Sequence, residues 1–112
     1  MKKIEALIRP ERLEAVLEEL RKLGYPGMTV TEVRGHGKQK GITQRWRGAE
    51  YRVEFLPKIK VEAVVLDEDV GKAVNALVRA ARTESIGDGK IFIYEVADAV
   101  RIRTGESGFN AI

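Results

Sequence analysis

Residues 58–81 of this 112-residue chain read KIKVEAVVLDEDVGKAVNALVRAA, and their hydrophobic spacing changes near Asp67. Before Asp67, alternation predicts a half-buried strand over Lys58–Leu66, with one face formed by Ile59, Val61, Ala63 and Val65. Asp67 has the side chain of a helix N-cap. The helical stripe after it comprises Val70, Ala73, Val74, Leu77, Val78 and Ala81. The stretch therefore predicts a strand followed by an amphipathic helix.

The flanking segments extend this pattern into a complete fold. Pro10 opens and Gly24 closes an earlier helix, whose stripe comprises Leu13, Val16, Leu17, Leu20 and Leu23. Alternating or β-branched residues predict further strands at Lys2–Ile8, Met28–Arg34 and Ile91–Val96, with a short fifth at Val100–Arg103. The order strand, helix, strand, strand, helix, strand predicts an α+β, ferredoxin-like (βαββαβ) fold with an antiparallel sheet and both helices on one face.

The other face of the predicted sheet also carries apolar side chains. The alternation places there Leu7, Val64, Phe92 and Tyr94. An apolar patch of this kind is normally covered, so we expect oligomerisation or a ligand.

Length and composition exclude several classes of protein. A chain of 12.5 kDa with 44% hydrophobic residues fits one folded domain. It has no cysteine and only His36, which excludes disulfides, thiolate chemistry and the usual zinc sites. No apolar run is long enough to span a bilayer and Glu5 and Arg9 interrupt any signal peptide, so we expect a cytoplasmic protein. The net charge of +3 is weak support for nucleic-acid binding.

A connection of 22 residues, Gly35–Leu56, joins the second and third predicted strands. Connections of this length are usually functional or disordered. Alternating Tyr51, Val53 and Phe55 favour a hairpin extension, whereas the glycines favour an adaptable loop. Within it, Trp46–Tyr51 fits either an exposed contact or modification patch or an inward-facing hairpin tip.

The segment Thr83–Phe92 reads TESIGDGKIF and carries the strongest local signal for chemistry. Gly87 and Gly89 allow backbone N–H groups to converge on an anion, and Lys90 adds charge. The alternative is a helix C-cap followed by a turn, with Lys90 solvated.

Two further groups suggest phosphate or metal chemistry. Arg101 and Arg103, two residues apart on a predicted strand, suit a polyphosphate, although pairing with Asp98 or Glu106, or plain solvation, explains the pair taken alone equally well. Together with the Gly87–Lys90 turn, the pair favours phosphate recognition. No paired carboxylates fit an all-protein magnesium site, so magnesium would be held by ligand phosphates and a neutral oxygen such as that of Gln39.

Taken together, these segments make the chain resemble the PII nitrogen-regulatory signal proteins along essentially its whole length. The matching blocks are Met1–Ile4, Gly27–Val33, Gly37–Gly41, Arg47–Tyr51, Phe55–Lys58, Ile86–Phe92 and Arg101–Glu106. The resemblance implies one domain over residues 1–112, with an effector loop at about 35–56, a phosphate-binding turn at about 82–90 and a C-terminal segment at about 97–112. It also implies a homotrimer, whose packed sheets would cover the apolar face.

The resemblance further implies ATP or ADP binding between subunits and, with magnesium and ATP, binding of 2-oxoglutarate. The implied nucleotide-binding residues are Thr29, Gly35, Gly37, Lys38, Val64, Gly87, Asp88, Gly89, Lys90, Arg101 and Arg103. Those implied for 2-oxoglutarate are Gln39, Lys40, Gly41 and Lys58, and Gln39 would also be a metal ligand. No catalytic residue is implied, and slow ATP hydrolysis is the most that we expect.

The effector loop of the family contacts target proteins such as an ammonium transporter, a glutamine synthetase regulator, a sensor kinase or an arginine-pathway kinase. Tyr51 matches the tyrosine that relatives have uridylylated or adenylylated. The chain departs from the motif at Trp46, where tyrosine is usual, and Ala49 lacks the serine that some relatives have phosphorylated.

Three other interpretations compete with this one. RNA-recognition modules share the element order, but the aromatic content of 6% and the absence of their glycine-flanked aromatic motif disfavour them. A small phosphoryl-transfer enzyme would need Asp88 or His36 as its base. A PII-like protein for another ligand is disfavoured because Gln39 and Lys58 are present.

Overall fold

The computed structural model describes residues 1–35 and 55–112, together with the backbone of two short strands between them. The elements are β1 (Lys2–Ile8), α1 (Leu13–Lys22), β2 (Thr29–Gly35), β3 (Thr43–Trp46), β4 (Ala49–Arg52), β5 (Leu56–Val65), α2 (Val70–Ala81) and β6 (Gly89–Glu95). Short 3-10 turns occupy Pro10–Arg12, Asp67–Asp69 and Gly108–Ala111.

Four strands form an antiparallel sheet in the order β2-β5-β1-β6. The core lies between this sheet and the two helices, and the predicted strand faces supply its sheet side: Ile4, Ala6, Ile8, Ile59, Val61, Ala63 and Val65 are buried. Val16 and Leu20 of α1 and Ala73 and Leu77 of α2 cover them. The predicted ferredoxin-like fold is confirmed.

The open face of the sheet carries the residues that alternation predicted. Lys3 of β1 lies opposite both Val64 and Tyr94, and Glu5 lies opposite Phe92. Phe92 and Tyr94 are exposed in the single chain.

The helix ends follow most of their predicted signals. Pro10 begins the 3-10 turn that leads into α1, and Gly24 takes a left-handed φ of +90° directly after it. The prediction that Asp67 caps α2 is wrong: Asp67 makes no capping bond, and its carboxylate instead pairs with the Met1 ammonium at 2.9 Å and with Lys2 at 3.6 Å. In the part of the chain that the structure describes, no helix is both long and apolar enough to cross a membrane.

Val78, one residue of the predicted α2 stripe, lies at the margin of the buried helix face. Val78 is 43% exposed, whereas Ala76, absent from the predicted stripe, is buried. The buried face of α2 is therefore centred on Ala73 and Leu77, and Val78 lies at the edge of the packed layer.

The predicted short C-terminal strand, Val100–Arg103, is wrong. Val100 forms a single isolated bridge with Ser107, and a turn follows in which the Gly105 N–H donates to the Arg101 carbonyl at 2.7 Å. Because the chain reverses here, with Gly105 at φ +72°, Arg101 and Arg103 do not share a strand face.

Between β2 and β5, the backbone of β3 pairs antiparallel with β4, from Thr43 opposite Arg52 to Trp46 opposite Ala49. This pairing agrees with the hairpin alternative for the long connection. Val53, one of the residues on which that alternative rested, lies outside the described residues.

Candidate anion site

The segment between α2 and β6 lies beside the end of β1, because β6 pairs antiparallel with β1 and therefore begins where β1 ends. β6 begins at Gly89, two residues earlier than predicted, with Gly89 opposite Ile8 and Lys90 opposite Leu7. Continuing this register by one residue places Asp88 beside Arg9. The predicted phosphate-binding turn is therefore anchored directly on the sheet.

Two glycines give the turn a backbone conformation that other residues rarely adopt. Gly87 has a φ of +98° and Gly89 a φ of +108°. A Cβ added at Gly89 would lie 1.7 Å from the Leu7 carbonyl oxygen, so only glycine fits where β6 meets β1. Gly89 is therefore required by the close packing of β6 against β1, a cause separate from the predicted convergence of N–H groups on an anion.

The Asp88 carboxylate holds the turn together from inside. Its Oδ2 accepts the N–H groups of Thr83 at 2.7 Å and Glu84 at 2.9 Å, and its Oδ1 accepts the Thr83 hydroxyl. Arg9 Nε donates to Oδ1 at 3.0 Å. These donors hold the pKa of Asp88 well below its usual range, and the hydrogen bond from the Thr83 hydroxyl makes the largest contribution. A carboxylate so occupied is a poor general base, which argues against the phosphoryl-transfer enzyme.

This network predicts a pH-dependent effect of Asp88→Asn. Because the folded-state pKa is lowered, Asp88 stabilises the fold at pH values above its unfolded pKa of about 3.9, and this stabilisation is lost as pH falls below that value. In urea unfolding at fixed protein concentration, we expect Asp88→Asn to be less stable than the wild type near neutral pH. The difference should begin to shrink as pH falls below about 4 and should go on shrinking towards the lowest pH at which the wild type stays folded, because the lowered folded-state pKa keeps Asp88 ionised in the native state. Exposed Glu14→Gln on α1 is the control, and a difference that stays constant with pH would contradict the prediction.

Lys58 of β5 reaches the turn from the other side. Its Nζ donates to the Gly87 carbonyl at 2.5 Å, and its stem packs against Gly35, where an added Cβ would lie 3.0 Å from Lys58 Cγ. Burial, and then the nearby charge of Arg9, lower the pKa of Lys58. An anion bound beside Lys58 would raise this pKa, so the charged ammonium group and the anion would stabilise each other.

The predicted arginines lie in the separate C-terminal segment. Arg101 Nη1 is 3.8 Å from Glu106 Oε1, which agrees with the acidic-neighbour alternative for that residue. Among the described residues, no hydrogen bond or ion pair links Arg101 or Arg103 to the glycine turn. Ile102 between them is fully exposed.

Thr29 and Val64 lie near the opposite end of the sheet from the glycine turn. Thr29 pairs with Glu62 on β5, two residues before Val64, whereas Gly35 pairs with Leu56. Gly35 lies six residue steps along β2 from Thr29, a distance of about 20 Å. One chain therefore brings together Gly35, Lys58 and the glycine turn but not the full set of predicted nucleotide-binding residues.

The remaining predicted residues are in the central segment. Gly37, Lys38, Gln39, Lys40 and Gly41 lie outside the described residues, and for Tyr51 only the backbone, in β4, is described. Within 1–35 and 55–112, no group of three or more acidic or histidine side chains is placed to hold a metal ion.

Comparison with known proteins decides the family. The family described as "Nitrogen regulatory protein P-II" matches residues 1–106. The chain belongs to the nitrogen regulatory protein P-II family. Relatives named nitrogen regulatory protein P-II from Pasteurella multocida and Haemophilus influenzae are each 57% identical over 112 residues, covering both chains completely. A relative from Methanothermobacter thermautotrophicus, named nitrogen regulatory protein P-II 2, is 58% identical over all of this chain and 97% of its own length.

Membership of the P-II family gives the chain a role in nitrogen signal transduction and confirms the resemblance inferred from its motifs. The relatives are named as regulatory proteins, consistent with control of targets rather than catalysis. RNA-recognition modules stack bases on aromatic side chains of the open sheet face, and Phe92 and Tyr94 do share that face. However, the Lys3 ammonium lies 4.7 Å from the centre of the Tyr94 ring, where a stacked base would have to compete with it.

Arg9 and the contribution of Thr83 were not predicted from the sequence of this P-II family chain. Both reach Asp88, and Arg9 does so across 79 residues of sequence. Asp88 lies one residue beyond the observed pairing of β1 with β6 but three residues before the predicted start of the last strand, so the sequence pattern did not place Arg9 opposite Asp88.

Proposed function

We propose that this P-II family chain is a cytoplasmic sensor of nitrogen, carbon and energy status. In this proposal it binds ATP or ADP, and binds 2-oxoglutarate together with magnesium and ATP. It regulates target proteins through the connection at about residues 35–56. The observation that carries the proposal is the glycine turn at Gly87–Gly89, which Lys58 and Arg9 contact from the sheet.

The turn has the features that a polyphosphate requires. Left-handed backbone at Gly87 and Gly89 allows N–H groups to converge, and exposed Lys90 adjoins them with a positive charge. Lys58 lies against the same turn, 2.5 Å from the Gly87 carbonyl. We therefore place the phosphates at the turn and the distal carboxylate of 2-oxoglutarate at Lys58.

The other 2-oxoglutarate residues in the proposal belong to the central connection. Gln39 would ligate magnesium, and the backbone of Gln39, Lys40 and Gly41 would hold the 2-oxo acid end. Gly37 and Lys38 would contact the nucleotide. Magnesium held by the phosphates and Gln39 would neutralise phosphate charge and offer the acid a cation, so 2-oxoglutarate binding would depend on ATP.

Assembly into a homotrimer would complete the same site. Thr29 and Val64 lie about 20 Å along the sheet from Gly35, and Arg101 and Arg103 form a third group. Two neighbouring copies would bring these groups together around one nucleotide, as the family resemblance implies. Assembly would also cover the exposed Phe92 and Tyr94 of the open sheet face.

Signalling in this proposal is linkage between ligand and target. A ligand that binds two conformations of the 35–56 connection unequally changes their populations, and a target that prefers one conformation must in turn change ligand affinity. An ammonium transporter, a glutamine synthetase regulator, a sensor kinase or an arginine-pathway kinase is the class of target expected. Nucleotidylation of Tyr51 would add a second input to the same connection.

Calorimetric titration of 2-oxoglutarate tests the proposal. With magnesium present, we expect binding to protein saturated with ATP and none with ADP or without nucleotide, because the ATP-bound metal completes the acid site. Light scattering on the same sample should show three 12.5 kDa chains. ATP binding without 2-oxoglutarate binding would retain the nucleotide sensor and refute the carbon signal. Failure of both ligands to bind a folded trimer would refute the proposed function.

A further inference from the structure

The Arg9 side chain contacts the glycine turn at two separate points. Its Nε donates to Asp88 Oδ1 at 3.0 Å, and its Nη2 donates to the Ile86 carbonyl at 2.9 Å. One guanidinium group therefore holds the residues on both sides of Gly87. A planar fork with several fixed donors can make two such bonds at once, whereas a lysine ammonium acts as a point charge.

The backbone at Arg9 is well placed for this role. Arg9 directly follows β1 in an extended conformation, with φ −67° and ψ 141°, and precedes Pro10, whose ring fixes the next φ. The guanidinium is therefore presented from the end of a core strand. Its side chain is only 17% exposed and that of Asp88 only 24%, so solvent screens the ion pair less than at the surface.

The turn needs such an external contact because its own backbone is permissive. Gly87 and Gly89 flank Asp88, and glycine loses more conformational freedom on ordering than any other residue. The bonds from Asp88 to Thr83 and Glu84 tie the turn to its own loop rather than to the sheet. Arg9 supplies the side-chain connection between Asp88 and β1.

We propose that Arg9 is a positioning residue, which orients the backbone N–H groups around Gly87 for an anionic ligand without itself contacting that ligand. The proposal rests on the proposed function for the identity of the ligand, ATP or ADP. It goes beyond that function because Arg9 is not among the residues assigned to the nucleotide. Its effect is transmitted through Asp88 and the Ile86 carbonyl.

The test compares Arg9→Ala and Arg9→Lys with Arg21→Ala, a control that removes an equal charge from the exposed face of α1. ATP and ADP affinities are measured by calorimetry. Removal of groups that orient binding residues typically costs about 10-fold to 100-fold, and we expect that loss for Arg9→Ala. Arg9→Lys should recover part of it, because an ammonium can reach Asp88 without also reaching Ile86. Adenosine affinity, measured by competition, should change less than ADP affinity.

Amide hydrogen exchange on the ligand-free variants separates this inference from the proposed function. Exchange at residues 86–89 should rise about 10-fold or more in Arg9→Ala and stay unchanged in Arg21→Ala. If the wild type binds no nucleotide, the proposed function fails, and the exchange result alone decides whether Arg9 positions the turn. Unchanged exchange overturns the inference, as does wild-type nucleotide affinity in both Arg9 variants. If Arg9→Ala does not fold, Arg9→Lys decides by the same measurements.

Discussion

Replacing Gly89 with alanine is expected to lower the free energy of unfolding by about 3 kcal/mol or more. The new Cβ would lie 1.7 Å from the Leu7 carbonyl oxygen, which belongs to the backbone of a core strand and has no flexible way to move aside. The φ of +108° adds strain that a residue with a Cβ does not tolerate. Urea unfolding at fixed protein concentration measures the change.

Two other glycines separate the steric clash from the backbone strain. Gly105 has a φ of +72° and nothing within 4 Å of an added Cβ, so Gly105→Ala should cost only about 1 kcal/mol. Gly71 lies in α2 with an ordinary φ and open space, and Gly71→Ala should stabilise the protein by about 0.5–1 kcal/mol. A cost at Gly89 no larger than that at Gly105 would show that β6 can move away from β1, contrary to the prediction.

Gly89 also illustrates what sequence patterns predict and what they do not. Alternation correctly placed the buried faces of β1 and β5, because one sheet face is covered by helices and the period of two is strict. The start of β6 was predicted two residues late, since glycine and lysine have little preference for strands. Only pairing with Leu7 and Ile8 determines that these residues are in the sheet.

In the C-terminal segment, by contrast, the sequence pattern predicted a strand that does not form. Val100–Arg103 alternates apolar and basic residues as a strand does, but it makes only the single bridge to Ser107. Asp98 Oδ1 instead accepts the N–H groups of Ala99 and Gly108 and stabilises a local loop. Such side-chain to backbone bonds compete with strand pairing, and hydrophobic alternation does not register them.

The candidate site was predictable in its residue types but not in its connections. Glycine and lysine in the Thr83–Phe92 segment indicated an anion site, and Gly87 and Gly89 of that segment have left-handed backbone in the structure. Contacts of Arg9 with Asp88 and of Lys58 with Gly87 join residues far apart in sequence, so no local pattern contains them. The predicted nucleotide-binding residues are divided between two ends of the sheet because Thr29 and Gly35 lie at opposite ends of one strand.

Replacing Lys58 with methionine is expected to weaken 2-oxoglutarate binding by about 100-fold in the presence of magnesium and ATP. Methionine retains most of the apolar stem that packs on Gly35 but removes the ammonium group, and a charged hydrogen bond lost from a partly buried site costs about 2–3 kcal/mol. ATP affinity should stay within about 3-fold of the wild type, because the turn keeps its bonds to Asp88 and Arg9. Calorimetry with each ligand in turn measures both effects.

Lys72→Met is the matched control, since Lys72 is an exposed lysine on α2 and its loss changes the net charge by the same amount. We expect it to leave both affinities unchanged. An equal loss of ATP and 2-oxoglutarate binding in Lys58→Met would mean that its bond to the Gly87 carbonyl chiefly shapes the turn, and that the carboxylate binds elsewhere. Unchanged binding of both ligands would exclude Lys58 from the site. Loss of 2-oxoglutarate affinity with ATP affinity retained is therefore the result that assigns the Lys58 ammonium group to the carboxylate. A direct contact with the acid would weaken that ligand alone, whereas a distorted turn would weaken both.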